Sequence, residues 1–531
     1  MRKSLYMIIA FSAALAIRLY PMFLSGLPFS TDAWSPIKNA ELLLEHTPIS
    51  LDSAVMDGYN CYWPANSLFG AVLSQVTGLK PMAAMAFGVP LAAALTIPIF
   101  YALMYGVGGS RRLAFFSSIL LAAAYYPYAL FTSGVTKETY ANPLYMLSIL
   151  IFLRRGEWRG MLLFTVASLA LVMAHHLTTL VAIAVLTNMS LASLIASIWR
   201  GGSSKGSNFL LTSILTAAAA LYFGLYAYRG FKISVTPSDL LSAASYQILS
   251  FAVMLHLTFK PQKASSWRTI LTCIASAAIA LLIVFLCIKR PIMPDAPILP
   301  SRYILYTSPF TLTSPLIALG VGELRGAQGG RSHAILFWLS TLIGLEAYAV
   351  FGDSPLGLTL AYRALNFLCI PLIILSAFGL QRLYEARGCL RRAAAIAALI
   401  AVAALNSYSV YASVSLQERY MGYFWLYTLP EYRAAAWIKD AAGNLTVAGD
   451  VKASYMLRDY FGLNVDELQG IQYLRGKTGL KPQILFTYEQ MARNGYVIYG
   501  GRSLDLPENW MERALQLSLV YSNRAACVYA G

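Results

Sequence analysis

Long apolar blocks with almost no charged residues follow one another along the chain up to about residue 413. Each block approaches the ~20 residues that a helix needs to cross ~30 Å of hydrocarbon. Backbone polar groups in lipid are satisfied only in helices or closed barrels, and blocks of this length indicate helices. The pattern therefore predicts about thirteen transmembrane helices, near residues 4–24, 81–107, 113–131, 140–153, 160–178, 180–199, 208–228, 243–259, 269–288, 303–321, 334–352, 356–380 and 393–413.

From residue 414 onward the pattern becomes that of a water-exposed domain, with 12 basic and 11 acidic residues. Helical periodicity at 431–442 and near 453–461 alternates with strand-like stretches at 445–449, 495–499, 517–521 and 525–530. The sequence therefore predicts two domains: a transmembrane domain at 1–413 and a small α/β domain at 414–531.

Composition agrees with a membrane protein, since 58% of the residues are hydrophobic and only 12% are charged. Soluble domains carry about 25% charged residues. The net charge of +16 comes largely from short loops, so it indicates a positive-inside bias toward anionic headgroups and no nucleic-acid partner. With the N-terminus inside, basic residues fall in every inner loop: Arg111 and Arg112; Arg154, Arg155 and Arg159; Arg200 and Lys205; Lys260, Lys263 and Arg268; Arg325 and Arg331; and Arg382, Arg387, Arg391 and Arg392.

This topology places the C-terminal domain on the extracytoplasmic side of a cell membrane. It also separates the acidic residues unevenly, although the orientation rule concerns only Lys and Arg. The inner loops hold Glu157, Glu323 and Glu385. The outer loops hold Asp32, Glu41, Glu45, Asp52, Asp57, Glu138, Asp239, Asp295 and Asp353. Catalysis or metal binding at the outer surface would explain the excess.

The first outer loop, about 25–80, is long for a membrane protein. It contains a helical stretch at 36–46 and a half-length apolar segment at 66–79, which is too short to span and is typical of an interfacial helix. Trp34, Tyr62 and Trp63 are residue types that suit the headgroup layer.

Asp32 lies in this loop shortly after the first helix. It is either a solvated loop carboxylate or the N-cap of the next helix, or else a general base or metal-binding carboxylate at the lipid–water boundary. A water-poor environment there would raise a carboxylate pKa toward working pH.

Lys137 and Glu138 occupy the second outer loop, which is so short that it must hold Glu138 close to the membrane surface. A lone Lys–Glu pair is otherwise ordinary surface decoration. His175 and His176 end the fifth predicted helix, and adjacent helical side chains point about 100° apart, so at most one of them faces a cavity. Each is either a metal ligand or phosphate contact, or a buried structural histidine.

Arg363 lies a turn or two inside the outer end of the twelfth predicted helix, and Arg302 begins the tenth. A membrane-embedded arginine is costly and normally has an anionic partner. A lipid-linked phosphate fits the guanidinium fork. The alternatives for Arg363 are an ion pair with Glu346 or Asp353, or snorkelling to the interface.

No nucleotide-binding glycine loop, redox motif or Ser-His-Asp order is present in the sequence. A transferase without a nucleotide site needs a donor that is already activated and already in the membrane, and a polyprenyl-phosphate sugar is such a donor.

The layout resembles the GT-C superfamily of membrane glycosyltransferases, which includes oligosaccharyltransferase catalytic subunits, protein O-mannosyltransferases and aminoarabinose transferases. The shared features are a long first outer loop, one acid after the first helix (Asp32), another in the second outer loop (Glu138), and a soluble C-terminal domain. The strings at 62–64, 74–78 and 431–438 look like those of prokaryotic, especially archaeal, GT-C-like proteins.

The resemblance implies an inverting glycosyltransferase at the outer face, with Asp32 and Glu138 catalytic, a polyprenyl-phosphate donor and a lipid or protein acceptor. Arg363, Arg302 and Lys137 would then bind the donor phosphate. If a divalent cation such as Mg²⁺ or Mn²⁺ takes part, its candidate ligands are Asp32, Glu138, His175 and His176. The Trp-Trp-Asp-Tyr-Gly signature of oligosaccharyltransferases is absent from the C-terminal domain, which argues against transfer of a whole glycan to asparagine.

Two other functions fit a chain of this kind. A transporter or flippase tends to carry polar residues and broken helices near the bilayer midplane, often in repeated halves. Here the charges gather at the outer ends of the predicted helices and no repeat is visible. A non-catalytic envelope protein would use its outer domain to hold partners, and Asp32 and Glu138 would then be replaceable.

Overall fold

The computed structural model describes residues 2–46, 48, 51, 56, 59–154, 158–199, 207–231, 236–259, 266–293, 296–326, 330–352, 357–422, 425–500 and 502–531. Ten charged residues named above lie outside the described residues: Asp52, Asp57, Arg155, Glu157, Arg200, Lys205, Lys260, Lys263, Asp295 and Asp353.

Every apolar block of the sequence is helical. The helices up to residue 154 are α1 (Arg2–Ser25), α2 (Trp34–Glu45), α3 (Ala65–Thr77), α4 (Pro81–Ala94), α5 (Thr96–Gly108), α6 (Arg111–Ala123), α7 (Tyr126–Phe131) and α8 (Lys137–Arg154). They continue as α9 (Trp158–Ala174), α10 (His176–Trp199), α11 (Ser207–Leu225), α12 (Pro237–Phe259), α13 (Ser266–Lys289), α14 (Tyr303–Gly326), α15 (Gly330–Phe351), α16 (Gly357–Glu385) and α17 (Cys389–Val414). Three short 3₁₀ turns lie at Thr31–Ala33, Asn60–Tyr62 and Ala227–Gly230.

Ten spans within the described residues are long and apolar enough to cross a membrane. The three remaining apolar blocks are helical but shorter or interrupted. The block at 113–131 divides into α6 and α7, where Pro127 starts a new helix. Helix α8 begins with the charged pair Lys137 and Glu138, and α9 is only 17 residues long. The count of thirteen crossings therefore stays a prediction, while the multi-helix fold is confirmed.

The C-terminal region contains α18 (Leu429–Ala441), α19 (Val451–Asp459), α20 (Glu467–Leu474), α21 (Glu489–Asn494) and α22 (Trp510–Ala514). Its strands are β1 (Val447–Ala448), β2 (Val465–Asp466), β3 (Ile484–Tyr488), β4 (Tyr496–Tyr499), β5 (Arg502–Asp505), β6 (Ser518–Ser522) and β7 (Ala526–Ala530). The main sheet has the order β2-β1-β3-β7-β6, and β4 pairs with β5 in a separate hairpin. Strands β2, β1 and β3 are parallel, whereas β7 is antiparallel to both of its neighbours.

The α/β character predicted for this region is confirmed, although strand β3 was missed. All five of its residues are buried, so its apolar run lacks the alternation that marks a half-exposed strand.

The chain divides into two compact units. The first unit, here called the helical unit, comprises 1–18, 91–132 and 140–412. The second unit, here called the loop unit, comprises 19–90, 133–139 and 413–531. The loop unit thus combines both acid-bearing loops with the C-terminal residues. The boundary at 413/414 between two functional domains stays a prediction.

Candidate functional site

Asp32 lies on the 3₁₀ turn Thr31–Ala33, and its side chain is exposed. The turn begins at Ser30, whose backbone has φ 100° and ψ 141°. Residues other than glycine rarely adopt this backbone conformation. The Ser30 N–H donates to the carbonyl of Trp425 at 2.9 Å, and Ser30 Oγ accepts from the Asp32 N–H at 3.2 Å. These bonds hold a strained backbone in place, which is common where a side chain must be aimed.

The structure contradicts the interpretation of Asp32 as a helix N-cap. The N-cap position of α2 is occupied by Ala33, and no side chain caps this helix. Helix α2 also begins at Trp34, two residues before the predicted start. Asp32 is therefore not the N-cap of α2.

The second acid-bearing loop is joined to the first by a backbone hydrogen bond. The Val135 N–H donates to the carbonyl of Phe29 at 2.9 Å. Glu138 follows in the first turn of α8, and its side chain is only 4% exposed. The positive end of the helix dipole favours a carboxylate there. The structure thus joins the short second loop to the long first loop, and it buries one acid while exposing the other.

Lys137 is enclosed by aromatic rings. Its ammonium lies 3.9 Å from the ring centroid of Tyr59 and 5.7 Å from that of Trp63, and it donates a hydrogen bond to Asn60 Oδ1. Asn60 Nδ2 in turn donates to Ser35 Oγ. Cation–π contacts of this kind are worth about 0.5–2 kcal/mol. These contacts link the start of α8, the 3₁₀ turn at Asn60–Tyr62 and the start of α2, which directly follows the Asp32 turn.

Trp34 and Trp63, two of the three aromatic residues assigned to the headgroup layer, are buried inside the protein, with 0% and 1% of their surface exposed. The assignment to the headgroup layer is therefore wrong for these two residues. The Trp34 ring contacts those of Tyr427 and Tyr460, at 4.9 Å and 5.5 Å between centroids. The Tyr460 hydroxyl also donates to Glu41 Oε1 on α2 at 2.8 Å. Trp34 therefore anchors the C-terminal residues of the loop unit against α2.

This packing brings a helix of the C-terminal region, which carries Tyr455, against the turn that carries Asp32. Helix α19 contacts both the Thr31–Ala33 turn and α2. Burial and, to a smaller extent, the negative charge of Asp32 together raise the pKa of Tyr455 to about 12. Sequence reasoning missed Tyr455, because nothing in the local pattern of α19 connects it with a loop more than 400 residues earlier.

A buried polar network sets the position of α19. Lys452 Nζ donates to Glu431 Oε1 at 2.7 Å and to Gln490 Oε1 at 2.5 Å, and both members of the Lys–Glu pair are almost fully buried. Asp450 caps the helix by accepting from the Ala453 N–H at 2.9 Å.

The two acids of this network are further satisfied by other donors. The carboxylate of Asp450 accepts hydrogen bonds from the Tyr488 hydroxyl at 2.6 Å and from the Ile498 N–H at 2.9 Å. Burial nevertheless raises the Asp450 pKa. Glu431 also accepts from the Thr428 N–H at 2.7 Å, which completes a capping box on α18. A buried polar network rigidifies a fold when its members are satisfied, so the helix that carries Tyr455 is held firmly.

The structure gives His175 a capping role in the helical unit. It is the single residue between α9 and α10, and its Nδ1 accepts from the Thr178 N–H at 3.4 Å and lies 2.8 Å from Thr178 Oγ1. The ring of His176 packs edge-on against Phe231, with 5.6 Å between centroids. These contacts favour the structural interpretation of His175, and any ligand would have to bind its Nε2.

Arg302 and Arg363 lie at the same end of two packed helices in the helical unit. Helices α14 and α16 run parallel, with Gly320 beside the Leu375 carbonyl, Gly379 beside the Leu316 carbonyl, and Arg382 paired with Glu323 at 2.8 Å. In that register position 304 faces Arg363, so Arg302 and Arg363 both lie near the N-terminal ends of the pair. Arg302 is exposed and Arg363 is half-buried.

One proposed partner of Arg363 can be excluded. Glu346 forms no ion pair or hydrogen bond with any described residue, and its Oε2 is buried. Asp353, the other proposed partner, lies outside the described residues. The ion pair with Glu346 is therefore absent.

The candidate metal ligands do not form a cage. Across the described ranges no group of three or more His, Cys, Asp or Glu side chains is placed to hold a metal ion. The use of Mg²⁺ or Mn²⁺ therefore stays a prediction, and no step proposed below uses a metal.

Comparisons with known proteins identify the fold. The structure of ArnT, an aminoarabinose transferase, from Cupriavidus metallidurans in the apo state aligns with 100% of this chain and 98% of its own, with a TM-score of 0.52 and 12% identity. ArnT from the same organism bound to undecaprenyl phosphate aligns over 99% and 98%, again with a TM-score of 0.52 and 12% identity. Arabinofuranosyltransferase AftD from Mycobacteria aligns over 98% of this chain and 39% of its own, with a TM-score of 0.47 and 14% identity. No protein-family profile and no curated protein sequence matches the chain.

The chain therefore shares the fold of ArnT, which agrees with the GT-C-like fold that the resemblance implied. At 12% identity the likeness concerns the fold alone, and function has to be argued from the residues of this chain.

Proposed function

We propose that this protein is an inverting glycosyltransferase that takes its sugar from a polyprenyl-phosphate donor at the outer face of a cell membrane. The observation that carries the proposal is the Asp32 turn. An exposed carboxylate stands on a strained, hydrogen-bonded backbone that is joined to the Glu138 loop and covered on one side by the C-terminal residues. Such over-determined strain is typical of a functional side chain. The full-length GT-C fold and the lipid phosphate bound by ArnT support the donor class.

In the proposed reaction the Asp32 carboxylate takes the proton of an acceptor hydroxyl. The acceptor oxygen forms a new bond to the anomeric carbon of the sugar, on the face opposite the phosphate. The bond between that carbon and the phosphate oxygen breaks, and the phosphate leaves with the electron pair. A polyprenyl phosphate needs no protonation at neutral pH, so one base is sufficient.

Cationic side chains would offset the charge that develops on the leaving phosphate. Arg363 and Arg302 are the first candidates, because the helix pair brings them to the same end and guanidinium groups bind phosphate bidentately. Lys137 is a third candidate, next to Glu138. We assign Glu138 the role of the second carboxylate, which orients the acceptor. The chemical class of the acceptor is taken up below.

The membrane orientation is part of the proposal. The basic loops between the apolar blocks support a cytoplasmic N-terminus and an extracytoplasmic C-terminal region at 414–531. A cysteine introduced at an exposed position such as Lys477 should react with an impermeant thiol reagent in intact cells. Reaction only after lysis would place this region inside and overturn the outer-face assignment.

The central test is Asp32→Asn in the full-length protein, reconstituted with a polyprenyl-phosphate sugar and a membrane extract as acceptor. Asparagine keeps the shape but cannot take the proton, so turnover should fall by ~10²-fold or more. Asp440→Asn, at an exposed position of the same unit, is the matched control and should retain full turnover. Transfer by Asp32→Asn at the parent rate would contradict the proposal.

A further inference from the structure

The surroundings of Tyr455 indicate what kind of acceptor the proposed site takes. Tyr455 is half-buried on α19, the helix that contacts the turn carrying the exposed Asp32. Its aromatic face and its hydroxyl belong to the C-terminal region, whereas the proposed base belongs to the first loop. Two segments from distant parts of the sequence, each carrying one of these residues, thus meet in the loop unit.

The charges around Tyr455 are mainly negative. Asp32, Asp459 and Glu467 all act on its phenol, together with one cation, Arg458. That guanidinium is already paired with both C-terminal acids, at 3.0 Å to Asp459 and 3.4 Å to Glu467. Three carboxylates and one guanidinium acting on the Tyr455 phenol leave a local excess of negative charge, which repels an anionic acceptor.

The chemistry of the proposed base also favours an uncharged acceptor. A phosphate acceptor is already an anionic nucleophile and needs no general base, whereas a neutral hydroxyl does need one. Because burial raises the pKa of Tyr455 to about 12, its phenol remains an O–H donor at any working pH. A donor and a carboxylate side by side suit a molecule with several hydroxyl groups.

An aromatic ring adds a preference among hydroxyl-bearing acceptors. The face of an aromatic ring carries partial negative charge, and it attracts the weakly positive C–H face of a sugar ring. A serine or threonine side chain presents no such face. The combination of ring, phenol and carboxylates therefore favours a carbohydrate over a peptide.

We propose that Tyr455 is a specificity-determining residue for the acceptor, and that this acceptor is an uncharged carbohydrate hydroxyl. This inference rests on the proposed function, in which Asp32 is the base. The sugar packs on the Tyr455 ring, a neighbouring sugar oxygen accepts from the phenol, and the reacting hydroxyl donates to Asp32. On transfer that proton passes to Asp32 as the new glycosidic bond forms and the phosphate departs.

The test uses the full-length protein in nanodiscs with a radiolabelled polyprenyl-phosphate hexose. Three acceptor probes are compared: a short-chain alkyl hexoside, the matching alkyl phosphate and a threonine-containing peptide. Binding of each probe is measured separately by saturation-transfer NMR, which needs no turnover. The variants are Tyr455→Phe, Tyr455→Ala and the control Tyr499→Ala, which changes an exposed tyrosine of the same region.

The alkyl hexoside should be the preferred probe. Loss of one hydrogen bond in Tyr455→Phe should raise its KM by roughly 3–10-fold, and loss of the ring in Tyr455→Ala by about 10–100-fold, with kcat changed by less than about 3-fold. The donor KM should be unchanged in both variants, and Tyr499→Ala should behave like the parent. The retained kcat and donor KM would show that the variants are folded.

Three results would overturn the inference: an unchanged hexoside KM in Tyr455→Ala, a preference for the phosphate or the peptide probe, or no hexoside binding by the parent protein. Failure of the proposed function gives a different result, namely undiminished transfer by Asp32→Asn. The two failures can therefore be told apart in one set of preparations.

Discussion

Asp32 and Arg363 are both charged residues proposed to act on one substrate, but different kinds of structure hold them. Asp32 stands on a short turn in the loop unit, fixed by backbone hydrogen bonds, by the burial of Trp34 and by a helix from the far end of the chain. Arg363 stands on a long helix of the helical unit, positioned by the close approach of α14 and α16 at two glycines.

The difference indicates which changes in the protein would displace each of the two side chains. A residue held by many weak contacts from several segments depends on all of them, whereas a residue on a packed helix depends mainly on that helix and its register. We therefore expect damage to the C-terminal network to act through Asp32 and Tyr455, and damage to the glycine contacts to act through the arginines.

The largest expected effect is that of Lys452→Met. Removing the cation leaves Glu431 as a buried, uncompensated charge, which should cost about 3–5 kcal/mol of stability in the C-terminal region. Hydrogen exchange of the full-length protein should show loss of protection in 445–505, with transfer falling accordingly. Lys439→Met, at an exposed position of α18, should have little effect. Equal protection in the two variants would show that the network does not hold α19.

The next effect concerns the helical unit. A Cβ added at Gly379 would lie 2.0 Å from the Leu316 carbonyl oxygen, so Gly379→Ala must push α14 and α16 apart, at a cost of about 1–3 kcal/mol. Thermal stability should fall and the donor KM should rise, while the acceptor KM stays the same. Gly106→Ala is the matched control, since nothing lies within 4 Å of its added Cβ. If both variants behave alike, the glycine contact is not what positions the arginines.

A smaller effect is expected from the arginines themselves. Arg363→Ala and Arg302→Ala should each raise the donor KM about tenfold, which corresponds to ~1.4 kcal/mol of phosphate binding. Steady-state kinetics with a polyprenyl-phosphate sugar would measure this. Arg391→Ala, which changes an exposed residue in the first turn of α17, serves as the control. An unchanged donor KM in both variants would remove these arginines from the phosphate site.

The smallest effect is a shift in the titration of Tyr455. The charge of Asp32 helps to hold the Tyr455 pKa near 12, so Asp32→Asn should lower it. The phenol of free tyrosine has a pKa of about 10, so in the unfolded state Tyr455 loses its proton at lower pH than in the folded state. The free energy of unfolding therefore falls as pH rises from about 10 to about 12. The phenol resonance of ¹³C-labelled tyrosine, assigned with Tyr455→Phe, would report the pKa. An identical pKa in the two proteins would mean that the two groups do not interact.

Several features followed from the sequence because they depend on local composition. Apolar blocks must be helical in lipid wherever they occur, so all thirteen blocks proved helical. The balanced charges after residue 414 likewise indicated a folded water-exposed domain. The chemical types of the candidate residues, including Asp32, Glu138 and Arg363, were also evident because charges are rare in such a chain.

Tertiary structure alone decided which of these residues lie together. Trp34 was assigned to the headgroup layer and is buried by Tyr427 and Tyr460, because its partners come from a region that is distant in sequence. The helix that carries Tyr455 meets the Asp32 turn for the same reason. Hydrophobic periodicity records which face of a segment is buried but not what buries it. The partners of Asp32 could therefore be found only once the chain had folded the C-terminal region against its first loop.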